Sequence, residues 1–98
     1  STASYDSVSF SVTGQDTNPL GIAFNPTGTK MYMVGWTNKS VYQYSLSTGF
    51  DLSTASYDSV SFSVAGQDTS PYDIAFNSTG TKMYVMGYGN DTVYQYSV

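Results

Sequence analysis

Residues 53–98 read STASYDSVSFSVAGQDTSPYDIAFNSTGTKMYVMGYGNDTVYQYSV, and residues 1–46 read STASYDSVSFSVTGQDTNPLGIAFNPTGTKMYMVGWTNKSVYQYSL. A shift of 52 residues superposes the two without a gap, and 34 of the 46 positions are identical. Self-similarity at such a period marks a repeat architecture, in which each unit leaves an apolar face that only another copy covers. The 98-residue chain reads as two tandem 52-residue repeats, 1–52 and 53–98, the second cut short.

Within a repeat the apolar spacing is that of strands. Residues 5–12 (YDSVSFSV) put Val8, Phe10 and Val12 on one face and Ser7, Ser9 and Ser11 on the other, which predicts a strand with one wet face. Residues 13–19 (TGQDTNP) carry the Gly, Asp, Asn and Pro of a loop. Residues 20–25 (LGIAFN) suit a short buried strand. Asn25-Pro26-Thr27-Gly28 predicts a tight turn, with Pro presetting one central position and Gly taking a positive φ. Strands over 30–35 and 40–46 follow, separated by the turn at 36–39. The connection 47–56 leads into 57–64, the second copy of the opening strand. Strands over 73–77, 82–87 and 92–98 complete the pattern. No segment holds a 3.6-residue period, so no helix is expected.

Four short strands per repeat match a β-propeller blade, whose sheets need apolar positions on both faces because blades pack face to face. Ile22 and Phe24 against Ala23, and Met31 and Met33 against Tyr32 and Val34, meet that need. The expected order from centre to rim is the Ile22 strand, the Met31 strand, the Tyr42 strand and then YDSVSFSV. The run from Pro19 to Val34 (PLGIAFNPTGTKMYMV), followed by Ser40-Val41-Tyr42-Gln43-Tyr44, resembles the blade repeat of YVTN-type propellers. The longer wording, with QDT before the Pro and FDLSTASY after the last strand, is similar to uncharacterised tandem repeats of bacterial and phage proteins. This resemblance covers nearly the whole chain and implies a fold, but no activity, since propellers host many functions. It also implies six to eight blades, where this chain has two.

The strand phase suggests how the shortfall is met. The chain opens with an outer strand and ends on a third one, giving one complete blade (19–64), an orphan strand (5–12) and a three-stranded sheet (71–98). Residues 5–12 are therefore expected to add to the edge strand 92–98 of a neighbouring chain, with Tyr5, Val8, Phe10 and Val12 meeting Val93, Tyr94, Tyr96 and Val98. Such a contact is head to tail and closes a ring or runs on as a filament. The expectation is an all-β propeller of four-stranded antiparallel blades, two per chain, closed by homo-oligomerisation. A homotetramer with eight blades is preferred over a homotrimer with six. A lone chain would expose blade faces and unpaired edges, so no stable monomer is expected.

Composition narrows the chemistry. Three Lys, no Arg and a net charge of −4 argue against a nucleic-acid surface, and no apolar run is long enough to span a membrane. There is no Cys, hence no disulfide or thiolate metal site. The chain also lacks His, Glu and Arg, which removes the usual general base and cationic clamp. No enzyme activity, cofactor or metal is expected. One carboxylate per QDT loop (Asp16, Asp68) suits a turn cap better than a calcium site. Asp73 or Asp91 brought together by ring symmetry is the remaining catalytic arrangement, and nothing in their spacing asks for it.

The differences between copies gather around two loops: Asn18/Ser70, Leu20/Tyr72 and Gly21/Asp73 at one, Trp36/Tyr88, Thr37/Gly89 and Lys39/Asp91 at the other. In a propeller both lie at one end of the channel. Drift in exposed loops explains this, and so does a ligand face retuned from blade to blade. Trp36 and Tyr88 beside Asn38 and Asn90, with Tyr72 and Asp73 nearby, would suit stacking on a sugar ring with hydrogen bonds to its hydroxyls. Aromatics packed over the blade seam are the preferred reading of the same residues. Two functions stay open: a self-assembling ring without catalytic activity, whether natural fragment or engineered, and a multivalent carbohydrate-binding propeller using the loops at Leu20/Tyr72 and Trp36/Tyr88.

Overall fold

The structure, a computed structural model, describes residues 2–98. The first sheet holds β1 (Pro19–Phe24), β2 (Lys30–Gly35), β3 (Ser40–Leu46) and β4 (Ala55–Ser63), in that spatial order. The second holds β5 (Pro71–Phe76), β6 (Lys82–Gly87) and β7 (Thr92–Ser97). Every pairing is antiparallel and every neighbour in space is a neighbour in sequence. This is the meander that the alternation and turn signals require. Among the described residues the only helical element is one 3-10 turn, Leu52–Thr54, where the Asp51 carboxylate accepts the Ser53 N–H at 3.0 Å.

The turns follow their residues. Gly28 N–H bonds Asn25 O at 3.0 Å with Gly28 at φ 72°, and Gly80 N–H bonds Asn77 O at 3.2 Å with Gly80 at φ 73°. The Asn25 and Asn77 side chains accept the amides of Lys30 and Lys82, both at 3.1 Å, fixing where the next strand starts. Registers shift at matching places in β1 and β5, between Pro19 and Gly21 and between Pro71 and Asp73. A further bulge between Gln43 and Tyr44 bends β4, with Ser59 at φ 58°.

Both faces of the first sheet are apolar, as packing between two layers demands. Tyr32, Val34 and Val41 meet Ile74, Met83 and Val85 of the second sheet, with Val64 wedged between them. The Tyr32 and Phe76 rings lie 4.6 Å apart across this seam. On the opposite face Met31, Met33, Tyr42, Tyr44 and Leu46 form a second cluster.

One expected element is absent. Residues 5–12 form no strand, because a ladder needs a partner edge and none lies within reach in the single chain. The segment neither pairs with β7 nor floats free. Phe10 and Val12 pack against the Met31–Leu46 cluster, while Ser7, Ser9 and Ser11 face solvent.

Candidate functional site

Three surfaces bear on function: the unpaired termini, the loop clamp that frames one end of each sheet, and an aromatic cleft at that same end.

Residues 5–12 are best described against their copy, residues 57–64, most of which forms β4. Ser7 holds φ 59° and Ser59 φ 58°, so the bulge conformation of the paired copy is already present in the unpaired one. Phe10 meets Tyr44 with ring centroids 5.5 Å apart, and Phe62 meets Tyr96 at the same 5.5 Å. Gln15 N–H reaches Val12 O at 3.0 Å and Gln67 N–H reaches Val64 O at 3.0 Å. The Tyr44 and Tyr96 hydroxyls donate to Gln15 Oε1 and Gln67 Oε1, both at 2.9 Å. The difference lies in the neighbours. Val64 N–H bonds Lys39 O at 2.9 Å, tying the copy to the first sheet, and Tyr57 lies against Tyr44 at 5.3 Å. Tyr5, the counterpart of Tyr57, is 76% exposed.

The second sheet shows the matching gap. β7 pairs only with β6, leaving its other edge open. Val93 is 61% exposed where its counterpart Val41 is 1%, and Met86 is 43% exposed where Val34 is fully buried. Val98 also lies exposed, while Tyr94 and Tyr96 are half-buried. The eight residues expected from the sequence to act in assembly lie on residues 5–12 or on β7 and its end.

Asp16 and Asp68 are the two buried charged side chains among the described residues. Asp16 accepts the amides of Asn18 at 2.8 Å, Thr37 at 3.3 Å and Asn38 at 2.9 Å. Asp68 accepts those of Ser70, Gly89 and Asn90 and the Tyr94 hydroxyl. Burial pushes the Asp16 carboxyl up, and the amide bonds from Asn38, Asn18 and Thr37 outweigh it, so it titrates below its ordinary value. The Asp68 carboxyl is lowered by the same balance. Each Asp thus caps its own loop and also pins the turn between the second and third strands. The glycine beside it makes room: a Cβ on Gly35 would collide with the Asp16 carboxylate. Among the described residues no three metal-ligating side chains converge.

Leu20 on β1 and Tyr72 on β5, with Asn18 and with Trp36 and Tyr88 in the turns after β2 and β6, line a cleft of about 260 Å³. The Tyr72 and Tyr88 rings meet edge-on at 5.8 Å, and Lys39 Nζ sits 4.7 Å over the Trp36 ring. The polar groups named with them are otherwise engaged. Asn38 Nδ2 donates to Gln15 O at 2.9 Å, and Asn90 Nδ2 donates to Gln67 O at 3.0 Å and to Tyr94 Oη at 3.1 Å. Asp73 accepts the Ile74 amide at 2.8 Å and abuts Gly21. The fold gathers the aromatics into one cleft and assigns both asparagine amides to loop anchoring.

One polar cluster escaped the sequence reading. Asp58 Oδ2 on β4 accepts from Lys30 Nζ at 3.3 Å, Gln43 Nε2 at 2.8 Å and Ser45 Oγ at 2.8 Å. Burial pushes the Asp58 carboxyl up, but the bonds from Gln43, Ser45 and Lys30 and the Lys30 charge hold it below its usual range. Gln43 and Ser45 stand two apart on one strand face, and both recur unchanged as Gln95 and Ser97. That identity was the available signal.

No protein-family model matches the chain, and no curated protein matches it.

Proposed function

We propose that the chain is a self-assembling β-propeller scaffold of YVTN type, two blades per copy, in which residues 5–12 of one copy complete the three-stranded sheet of the next. One observation carries the reading. The unpaired segment has the backbone kink, ring contact and loop bonds of its paired copy, and lacks only the partner strand. A segment that already carries the kink and loop bonds of its copy forfeits less further entropy on pairing. The seam between the two sheets is the template for the contact between copies. Met86 and Val93 would enter the seam as Val34 and Val41 do within the chain, facing the open cleft of about 270 Å³ lined by Phe10, Ile22, Met31 and Met33. The register follows from β3 and β4 by moving each 52 residues: Val93 opposite Phe10, Gln95 opposite Val8, Tyr96 opposite Tyr5 and Ser97 opposite Ser4.

Because each copy offers one donor and one acceptor surface, a closed ring satisfies both at every position. Four copies and eight blades are preferred over three and six. Sedimentation of the intact chain is expected to give one integral multiple of 10.6 kDa, stable on dilution. Removing residues 1–12 is expected to yield single chains. A folded, monomeric intact chain would defeat the proposal.

The aromatic cleft favours a second reading, a carbohydrate-binding ring with one weak site per seam. Leu20, Trp36, Tyr72 and Tyr88 offer flat apolar surface beside exposed hydroxyls. A glycan array on the assembled protein, with Trp36→Ala as control, decides it. Binding abolished by the substitution supports a lectin, and no binding at millimolar sugar removes it.

A further inference from the structure

The cluster around Asp58 has a copy with one member missing. Lys82, Gln95 and Ser97 of the second sheet repeat Lys30, Gln43 and Ser45 of the first. Lys82 Nζ donates to Ser97 Oγ at 2.8 Å, as Lys30 Nζ donates to Ser45 Oγ. In the first sheet these three groups converge on the Asp58 carboxylate. In the second sheet no carboxylate reaches them, since Lys30–Asp58 is the only ion pair among the described residues. The counterpart of Asp58 is Asp6, which sits on the unpaired segment and is exposed.

We propose that Lys82, Gln95 and Ser97 form a carboxylate-binding socket whose occupant is Asp6 of a second copy of this chain. The inference rests on the ring described above and adds to it the residues that fix register and partner. Three donors converging on one oxygen, one of them charged, make a directional contact that an apolar face alone cannot supply. A slip of one residue would carry Asp6 to the opposite face of the sheet and leave the socket empty. In the filled cluster the Asp58 side chain is 17% exposed and Lys30 40%, so the contact is partly shielded from solvent. Asp6 and the socket share no residue with the aromatic cleft.

Charge exchange across the contact tests this on the full chain. Asp6→Lys and Lys82→Asp each place like charges together, whereas the pair of substitutions restores an opposite pair. Asp6 is exposed and Lys82 partly exposed in the single chain, so neither substitution disturbs the chain's own core. Sedimentation over a dilution series is expected to show each single variant dissociating at concentrations at least tenfold above the wild type. The double variant is expected to recover to within about threefold of the wild type, given the typical non-additivity of contacting pairs. Single variants that assemble like the wild type would overturn the socket and leave the ring standing. A double variant no better than the singles would show that Asp6 and Lys82 do not meet. A monomeric wild type would remove the ring and the socket together.

Discussion

Val93→Asp separates a seam between copies from a merely exposed strand. In the single chain Val93 is 61% exposed, so the substitution removes little buried surface and leaves the fold intact. In the proposed ring Val93 would take the place that Val41 holds within the chain, where the exposure is 1%. Burying three-fifths of a valine side chain stabilises by about 1–2 kcal/mol, taking full burial as roughly 1.5–3 kcal/mol. An aspartate there forfeits that gain and must also be desolvated or protonated, at a further cost on the order of a few kcal/mol. The sum is at least ~3 kcal/mol per contact, on the order of a hundredfold in each association step. Light scattering on the variant is expected to report loss of the oligomer at concentrations where the wild type is assembled. Val41→Asp, at the position already buried within one chain, is the internal standard and is expected to unfold it. A Val93→Asp protein with the mass and dilution behaviour of the wild type would refute the seam.

Further expectations concern the loop clamp. Asp16→Ala strips the acceptor from three backbone amides and is expected to cost about 2–4 kcal/mol, read as a fall in melting temperature of roughly 10 °C or more. The carboxyls of Asp16, Asp58 and Asp68 titrate below the ordinary 3.8 in the folded chain. Their stabilisation is therefore fully present above that value and is lost as the pH falls through the lower folded values. Acid unfolding followed by circular dichroism is expected to show this loss, and Asp16→Asn to flatten it. Gly35→Ala is expected to destabilise by about 1–3 kcal/mol, since its methyl meets the Asp16 carboxylate, whereas Gly14→Ala, with open space around it, is expected to be neutral in the same thermal melt.

The strands inside each sheet were legible because their signals are local. Alternation in KMYMV and VYQY named both faces of β2 and β3, and Asn25-Pro26-Thr27-Gly28 named the turn with its positive-φ glycine. Residues 5–12 alternate as a strand does but form none, since the single chain brings no sheet edge to them. The Asp16 cap two residues ahead, on Asn18, follows from loop chemistry, while its reach to Thr37 and Asn38 depends on how two loops meet in space. For the same reason the bonds from the Asn38 and Asn90 side chains to the carbonyls of Gln15 and Gln67 left no mark in the sequence. The bulge at Gln43/Tyr44 and the positive φ of Ser59 left no mark, because serine carries no preference for that conformation.

The most direct test of strand exchange between copies uses the absence of cysteine from the chain. Ser45 and Ser56 face each other across β3 and β4, so Ser97 of one copy and Ser4 of the next are expected to do the same. A protein carrying Ser4→Cys and Ser97→Cys, oxidised and weighed by mass spectrometry without reductant, is expected to appear as a single covalently closed oligomer with no free thiol. Free thiols, or a monomer with both cysteines joined within one chain, would contradict the account.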